Sequence, residues 1–140
     1  MIVFLGGTCN DSTWREELIP MLECDYFNPV VKDWNEDAQK LEIHKRQTCD
    51  FVLYVITPKM TGVYSIAEVV EDSNKRPQQT LFCIIENDDN NEFTEHQLKS
   101  LMMVKNLVRN NNARVFDTLE DVANFLNYIR GYVDPYNEAE

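Results

Sequence analysis

Cations are scarce in this chain. Thirteen Lys and Arg face twenty-four Asp and Glu, a formal net charge of -11 at pH 7. So few positive groups cannot neutralise a run of phosphates, which argues against a nucleic-acid polymer as partner. The same deficit argues against docking on an anionic membrane surface. The acidity reads as a solubility device, and a small base-bearing substrate stays possible because a pocket can differ from the net field. Histidine is nearly absent: His44 and His96 fall in no ligand spacing, and neither builds a Ser-His-Asp or Cys-His arrangement. Cys9, Cys24, Cys49 and Cys83 form no CxxC pair, so four reduced thiols are expected, with no disulfide, metal or cofactor. Four glycines are too few and too scattered for GxGxxG or a P-loop. No apolar run approaches the roughly 20 residues of a membrane span. The start "MIVFLGGTCN" lacks a basic n-region and a small-residue cleavage site, so a cytoplasmic location is expected.

What is present is an apolar fraction of 44% over 140 residues, enough for one core. The chain reads as one domain over 1–133 with a tail, "DPYNEAE", at 134–140. "MIVFLGG", "DFVLYVITP" and "QQTLFCIIE" are continuous apolar runs without alternation, the mark of strands buried on both faces. "CDYFNPVV", residues 24–31, broken at Asn28-Pro29, and "ARVFD" are two further strands. Between them lie helical segments. "DSTWREELIPML" has Ser12 or Asp11 as cap and Pro20 to bend or shorten it. "NEDAQKLEIHKRQTC" is helical by composition, and residues 64–74 form a short helix. "TEHQLKSLMMVKNLVRNNN" carries Leu98, Leu101 and Met102 at helical spacing, and "TLEDVANFLNYIRGYV" starts at Thr118 as N-cap. "NDDNNE" reads as a polar loop. Strand and helix thus alternate five times. The expectation is a flavodoxin-like, Rossmann-like three-layer α/β sandwich with a five-stranded parallel sheet in the order 2-1-3-4-5.

Ligands of such sheets bind outside the carboxyl ends of the strands, at the switch in strand order. Strands 1 and 3 flank that point. In the loop "GGTCNDS", Gly6 and Gly7 permit close backbone approach, and Thr8 and Asn10 are further candidate contacts. The loop suits a phosphate or a sugar hydroxyl, or serves simply as a tight strand-to-helix turn. Asn28, before Pro29, contacts a ligand or starts a turn, the turn being favoured. Trp14 and Trp34 stack on a base or pack, packing being the more frequent role. On a helical wheel Glu68 lies opposite the arc of Ile66, Ala67, Val69 and Val70, which suggests a solvated face. Its place just above the third strand suggests the lip of the crevice instead, and the two readings balance. Asp50 either ends a helix or acts chemically.

Four stretches settle on a family: "FLGGTCNDSTWREELIP", "YFNPVVKDW", "TCDFVLYVITPKMTGVYSIAEVVEDSNKRP" and "FTEHQLKSL". In this order they resemble the nucleoside 2-deoxyribosyltransferase-like family, in its short bacterial and phage-type branch, over most of residues 3–101. The resemblance implies cleavage of the N-glycosidic bond of 2′-deoxynucleosides, a deoxynucleoside or deoxynucleotide as small-molecule partner, and a homo-oligomer. "GVYSIAE" matches the family's G-x-x-x-E pattern, so Glu68 takes the part of nucleophile. Asp50 matches the Asp that opens the third-strand motif, and Glu42, eight positions earlier, the acid near the leaving base. Gly62 stands where the transferases often hold a sugar-binding acid, and Phe4 where they hold a tyrosine that steadies the nucleophile, with Tyr64 or Ser65 as the substitutes at hand. A hydrolase of deoxynucleoside 5′-monophosphates and a nucleotide-binding module without turnover are the alternative readings.

Overall fold

The computed structural model describes residues 1–133; the tail at 134–140 lies outside the described residues. In chain order the elements are β1 (Ile2–Gly7), α1 (Trp14–Leu18), β2 (Asp25–Phe27), α2 (Glu36–Thr48), β3 (Phe51–Ile56), α3 (Tyr64–Lys75) and β4 (Thr80–Ile84). Then follow β5 (Asn87–Asp88), β6 (Asn91–Glu92), α4 (Glu95–Asn110), β7 (Arg114–Phe116) and α5 (Leu119–Val133). Five strands form one sheet in the order β2-β1-β3-β4-β7. Every neighbouring pair in it is parallel. This is the expected flavodoxin-like order 2-1-3-4-5, counted over the strands of the main sheet.

The continuous apolar strands are explained by two separate cores. Val3, Leu5, Leu53, Val55, Leu81 and Cys83 point to one face, where Trp14 and Leu18 of α1 and Val122 and Leu126 of α5 cover them. Phe4, Val52, Tyr54, Ile56, Phe82 and Ile84 point to the other, against Val69 of α3 and Leu101 and Val108 of α4. Helix α2 contributes no fully buried residue, and Leu41 and Ile43 are about half exposed. Its start is nonetheless well made, with Asn35 Oδ1 accepting from the Ala38 N–H at 2.9 Å. Helix α4 opens with a capping box between Thr94 and Gln97, and Thr118 Oγ1 accepts from Asp121 N–H at 3.1 Å to cap α5.

Several local readings are corrected. The second strand ends at Phe27, at the expected break, and does not resume over 30–31, because Asn28 Oδ1 takes the Val30 N–H at 3.0 Å and turns the chain. Neither Ser12 nor Asp11 caps α1. Ser12 Oγ donates to Asp88 Oδ2 at 2.6 Å, and Asp11 sits at φ 65°. Helix α1 is shortened at Pro20 as expected: it closes after five residues, and the chain continues as a 3₁₀ turn over Ile19–Met21. The polar stretch at 87–92 is a small antiparallel hairpin, β5 with β6. Asp89 and Asn90, at φ 49° and 65°, supply the left-handed pair that such a two-residue turn requires. Among the described residues no helix is long and apolar enough to cross a membrane.

Candidate active site

A cleft of about 360 Å³ opens at the carboxyl ends of β1 and β3, the switch point of the sheet. Its floor is the end of β1, where Gly6 and Gly7 pair with Tyr54 and Val55 of β3, and the turn that follows. Thr8 locks this turn: its N–H donates to Val55 O at 2.9 Å, and its Oγ1 accepts from Thr57 N–H at 3.0 Å. The Thr8 carbonyl accepts from Trp14 Nε1 and from Arg15 Nη1, both at 2.8 Å. Asn10 and Thr61 at its rim belong to a tie between three loops. Asn10 Nδ2 donates to Lys59 O at 3.1 Å and Thr61 Oγ1 at 2.6 Å, while Lys59 Nζ reaches Asp11 O at 3.2 Å and Asp89 Oδ2 at 2.5 Å.

Gly6, Gly7, Thr8, Asn10, Glu42, Gly62, Tyr64, Ser65 and Glu68 all line this one cleft, although they come from β1, α2, α3 and the loops between. Three other candidates lie outside it. Trp14 is 2% exposed and packs in the core with the Arg15 guanidinium over its ring at 4.3 Å. Asn28 is spent on the turn already described. Asp50 stands before the first residue of β3, at the opposite end of the sheet, where Oδ2 accepts from the Ile2 N–H at 2.8 Å and anchors β1. Asp50 therefore stands away from the cleft, at the other end of β3. Trp34, for which packing was favoured, lines the cleft with 61% exposure.

Glu68 is 8% exposed although it belongs to the polar side of α3. That face meets α2, not solvent. Arg46, in the last turn of α2, brings Nε to 3.4 Å from Glu68 Oε2. Burial raises the Glu68 carboxyl to about 7, the charges of Glu42, Asp72 and Glu71 push the same way, and Arg46 opposes them. Arg46 is itself tightly held. It donates to Tyr54 Oη at 2.9 Å, to Asp72 at 3.1 and 3.2 Å, and to Glu71 Oε2 at 2.8 Å. Burial works against its charge, and the bonds to Glu71 and Asp72 outweigh that, so it stays cationic. The Tyr54 hydroxyl is fully buried and donates to Asp72 Oδ2 at 2.5 Å; burial and the Asp72 charge keep it neutral. Arg46 and Tyr54 were not among the sequence candidates. Phe4 is buried and stacked on Phe27 with ring centroids 5.9 Å apart, so it brings no hydroxyl to the cleft.

A parallel α/β sheet with a buried carboxylate at the lip of its switch-point cleft is the frame of a small-molecule enzyme or binding protein. Residues 1–88 match the model of the family described as nucleoside 2-deoxyribosyltransferase like, and the chain belongs to that family. The matched span contains every residue that lines the cleft. A search among curated proteins returned no match.

Proposed function

We propose that the protein cleaves the N-glycosidic bond of 2′-deoxynucleosides, with Glu68 as nucleophile. The observation that carries this reading is a mostly buried carboxylate lining the cleft and flanked by a cation, in a chain of this family. The Glu68 carboxylate attacks C1′. The C1′–N bond breaks, its electron pair stays on the base, and Glu42, on the same cleft, hydrogen-bonds the departing base or hands it a proton. The transition state is oxocarbenium-like, so an adjacent carboxylate stabilises charge before it forms the ester. A second base then attacks C1′ and frees Glu68, or water does so and releases 2-deoxyribose. Wild-type protein incubated with a panel of deoxynucleosides and deoxynucleotides, with and without acceptor base, is expected to release free base. Mass spectrometry of a quenched reaction is expected to place a deoxyribosyl ester on Glu68. No free base from any substrate, or an ester on another residue, overturns the proposal.

One observation favours 5′-monophosphates over nucleosides as substrates. Arg15 is 3% exposed, lines the cleft, and gives its hydrogen bonds to the backbone carbonyls of Leu5 and Thr8. A buried guanidinium partnered by carbonyls leaves a positive field for an anionic substrate group. A kcat/KM at least tenfold higher for monophosphates than for nucleosides is the expected result on this reading; equal values remove it.

Gly62 offers a further check. A Cβ built there meets nothing within 4 Å, so an acid fits at the lip of the cleft. Gly62→Asp is expected to change stability by less than about 0.5 kcal/mol. It is also expected to lower KM for deoxynucleosides by giving the sugar hydroxyls an acceptor. An unchanged or raised KM, with melting unaltered, counts against sugar binding at this lip.

A further inference from the structure

Arg46 lies beside the reactive carboxylate yet makes its shortest contacts elsewhere. Its bonds to Glu71, Tyr54 and Asp72 measure 2.8 to 3.2 Å, whereas Glu68 Oε2 is 3.4 Å from Nε. We infer that Arg46 is a positioning residue: fixed by Tyr54 and Asp72, its guanidinium orients the Glu68 carboxylate toward the cleft and favours its charged form without capturing its lone pairs. This rests on the reading of Glu68 as nucleophile.

The geometry separates holding from pairing. A short bidentate Arg–carboxylate pair would satisfy both oxygens and blunt a nucleophile. Here the fork is occupied by Asp72 and Glu71, and Glu68 feels mainly the charge. The anchors are rigid. Tyr54 comes from the central strand β3 and is fully buried. Asp72 is 4% exposed and also pairs with Arg76 Nε at 3.5 Å. Arg76 in turn donates to the carbonyls of Arg46 and Gln47, which pins the end of α2. The charged and titratable groups around Glu68 are therefore Glu42 and Arg46 from α2, Tyr54 from β3, and Glu71 and Asp72 from α3. Among these the Arg46 guanidinium is the cation that favours ionised Glu68; the carboxylates oppose it.

The test is the pH dependence of kcat/KM for base release from a 2′-deoxynucleoside. Glu68 must be ionised to attack, so the wild-type rate is expected to rise through about pH 7 and level off above it. Arg46→Met is expected to move that limb at least one pH unit higher, which is at least about a fivefold loss at pH 7, approaching tenfold at lower pH, and a smaller loss on the plateau. Arg46→Lys, which keeps charge but not the fork, is expected to recover part of the shift. A folded Arg46→Met protein whose rate falls equally at all pH values overturns the inference, since a merely structural clamp lowers the rate without moving the limb. If Arg46→Met does not fold, Tyr54→Phe, which removes one anchor of the guanidinium, is expected to move the limb the same way by less. An unmoved limb there overturns the inference as well. The ester trap on wild-type protein keeps the two ideas apart. An ester on Glu68 with an unmoved limb defeats the role of Arg46 alone, and an ester elsewhere defeats the nucleophile.

Discussion

Glu68→Gln is expected to abolish turnover and, at pH 8, to make the protein more stable. The two effects have one cause. The folded protein holds the Glu68 carboxyl at about 7, against an ordinary value of 4.5, chiefly because it is buried. Between those two values the folded state keeps a proton that the unfolded state has lost. Stability therefore falls as pH rises from 4.5 through 7, and the loss is complete above that. At about 1.4 kcal/mol per pH unit the penalty is on the order of 3 kcal/mol. Glutamine keeps the shape and carries no charge, so it escapes the penalty. Melting at pH 8 is expected to rise by roughly 10 °C for a chain of this size, and the difference is expected to shrink towards zero near pH 4.5. Turnover is expected to fall by at least about 1,000-fold, since an amide cannot form the ester. Thermal melts at the two pH values and an assay of free base check both halves. A gain in stability that is the same at pH 4.5 and pH 8 would remove the electrostatic explanation. A site residue whose loss stabilises the fold is one kept for its chemistry.

The architecture was readable because the strands that decide it, β1, β3 and β4, are buried on both faces and so lack polar interruptions. Helices α4 and α5 were readable for the opposite reason, since each has one buried stripe. What escaped reading either carries no apolar signal or depends on contacts between distant residues. The hairpin of β5 and β6 is set by two left-handed residues in a polar run, which carries no apolar signal. The site divides in the same way. Gly6, Gly7 and Glu68 followed from the switch-point rule and the family pattern, which are properties of order along the chain. Asp50 opens the same strand that leads to the cleft, but at its far end, a distinction that a motif does not carry. Arg46 sits in a helix with no fully buried position, and Tyr54 in an apolar run that reads as core. Tyr54 meets Asp72 across 18 residues of chain and Arg46 meets it across 26, separations that only the α2–β3–α3 packing closes.

Gly7→Ala is expected to unfold the cleft from its floor. Gly7 has φ +120°, a conformation that a side chain rarely adopts, and a Cβ there would lie 2.0 Å from Val55 O and 2.7 Å from Val55 N. Both neighbours are backbone atoms of β3, so no side chain can swing aside. Strands β1 and β3 would have to part by more than an ångström at the last pair of their ladder. That movement would break the Thr8 N–H bond to Val55 O and the Thr57 N–H bond to Thr8 Oγ1. It would also displace the Thr8 carbonyl, which holds both Trp14 and Arg15. Strain, lost hydrogen bonds and a disturbed core together are expected to cost at least about 3 kcal/mol. Urea unfolding is expected to show a lower midpoint with an unchanged slope. Gly62→Ala is the control, because the space around Gly62 is open, and its midpoint is expected to stay with wild type. If Gly7→Ala unfolds at the wild-type midpoint, β1 and β3 do not approach as closely as described, and the cleft loses its floor. If it unfolds early as expected, the second glycine of "GGTCNDS" is required by the close pairing of β1 with β3, whatever the substrate.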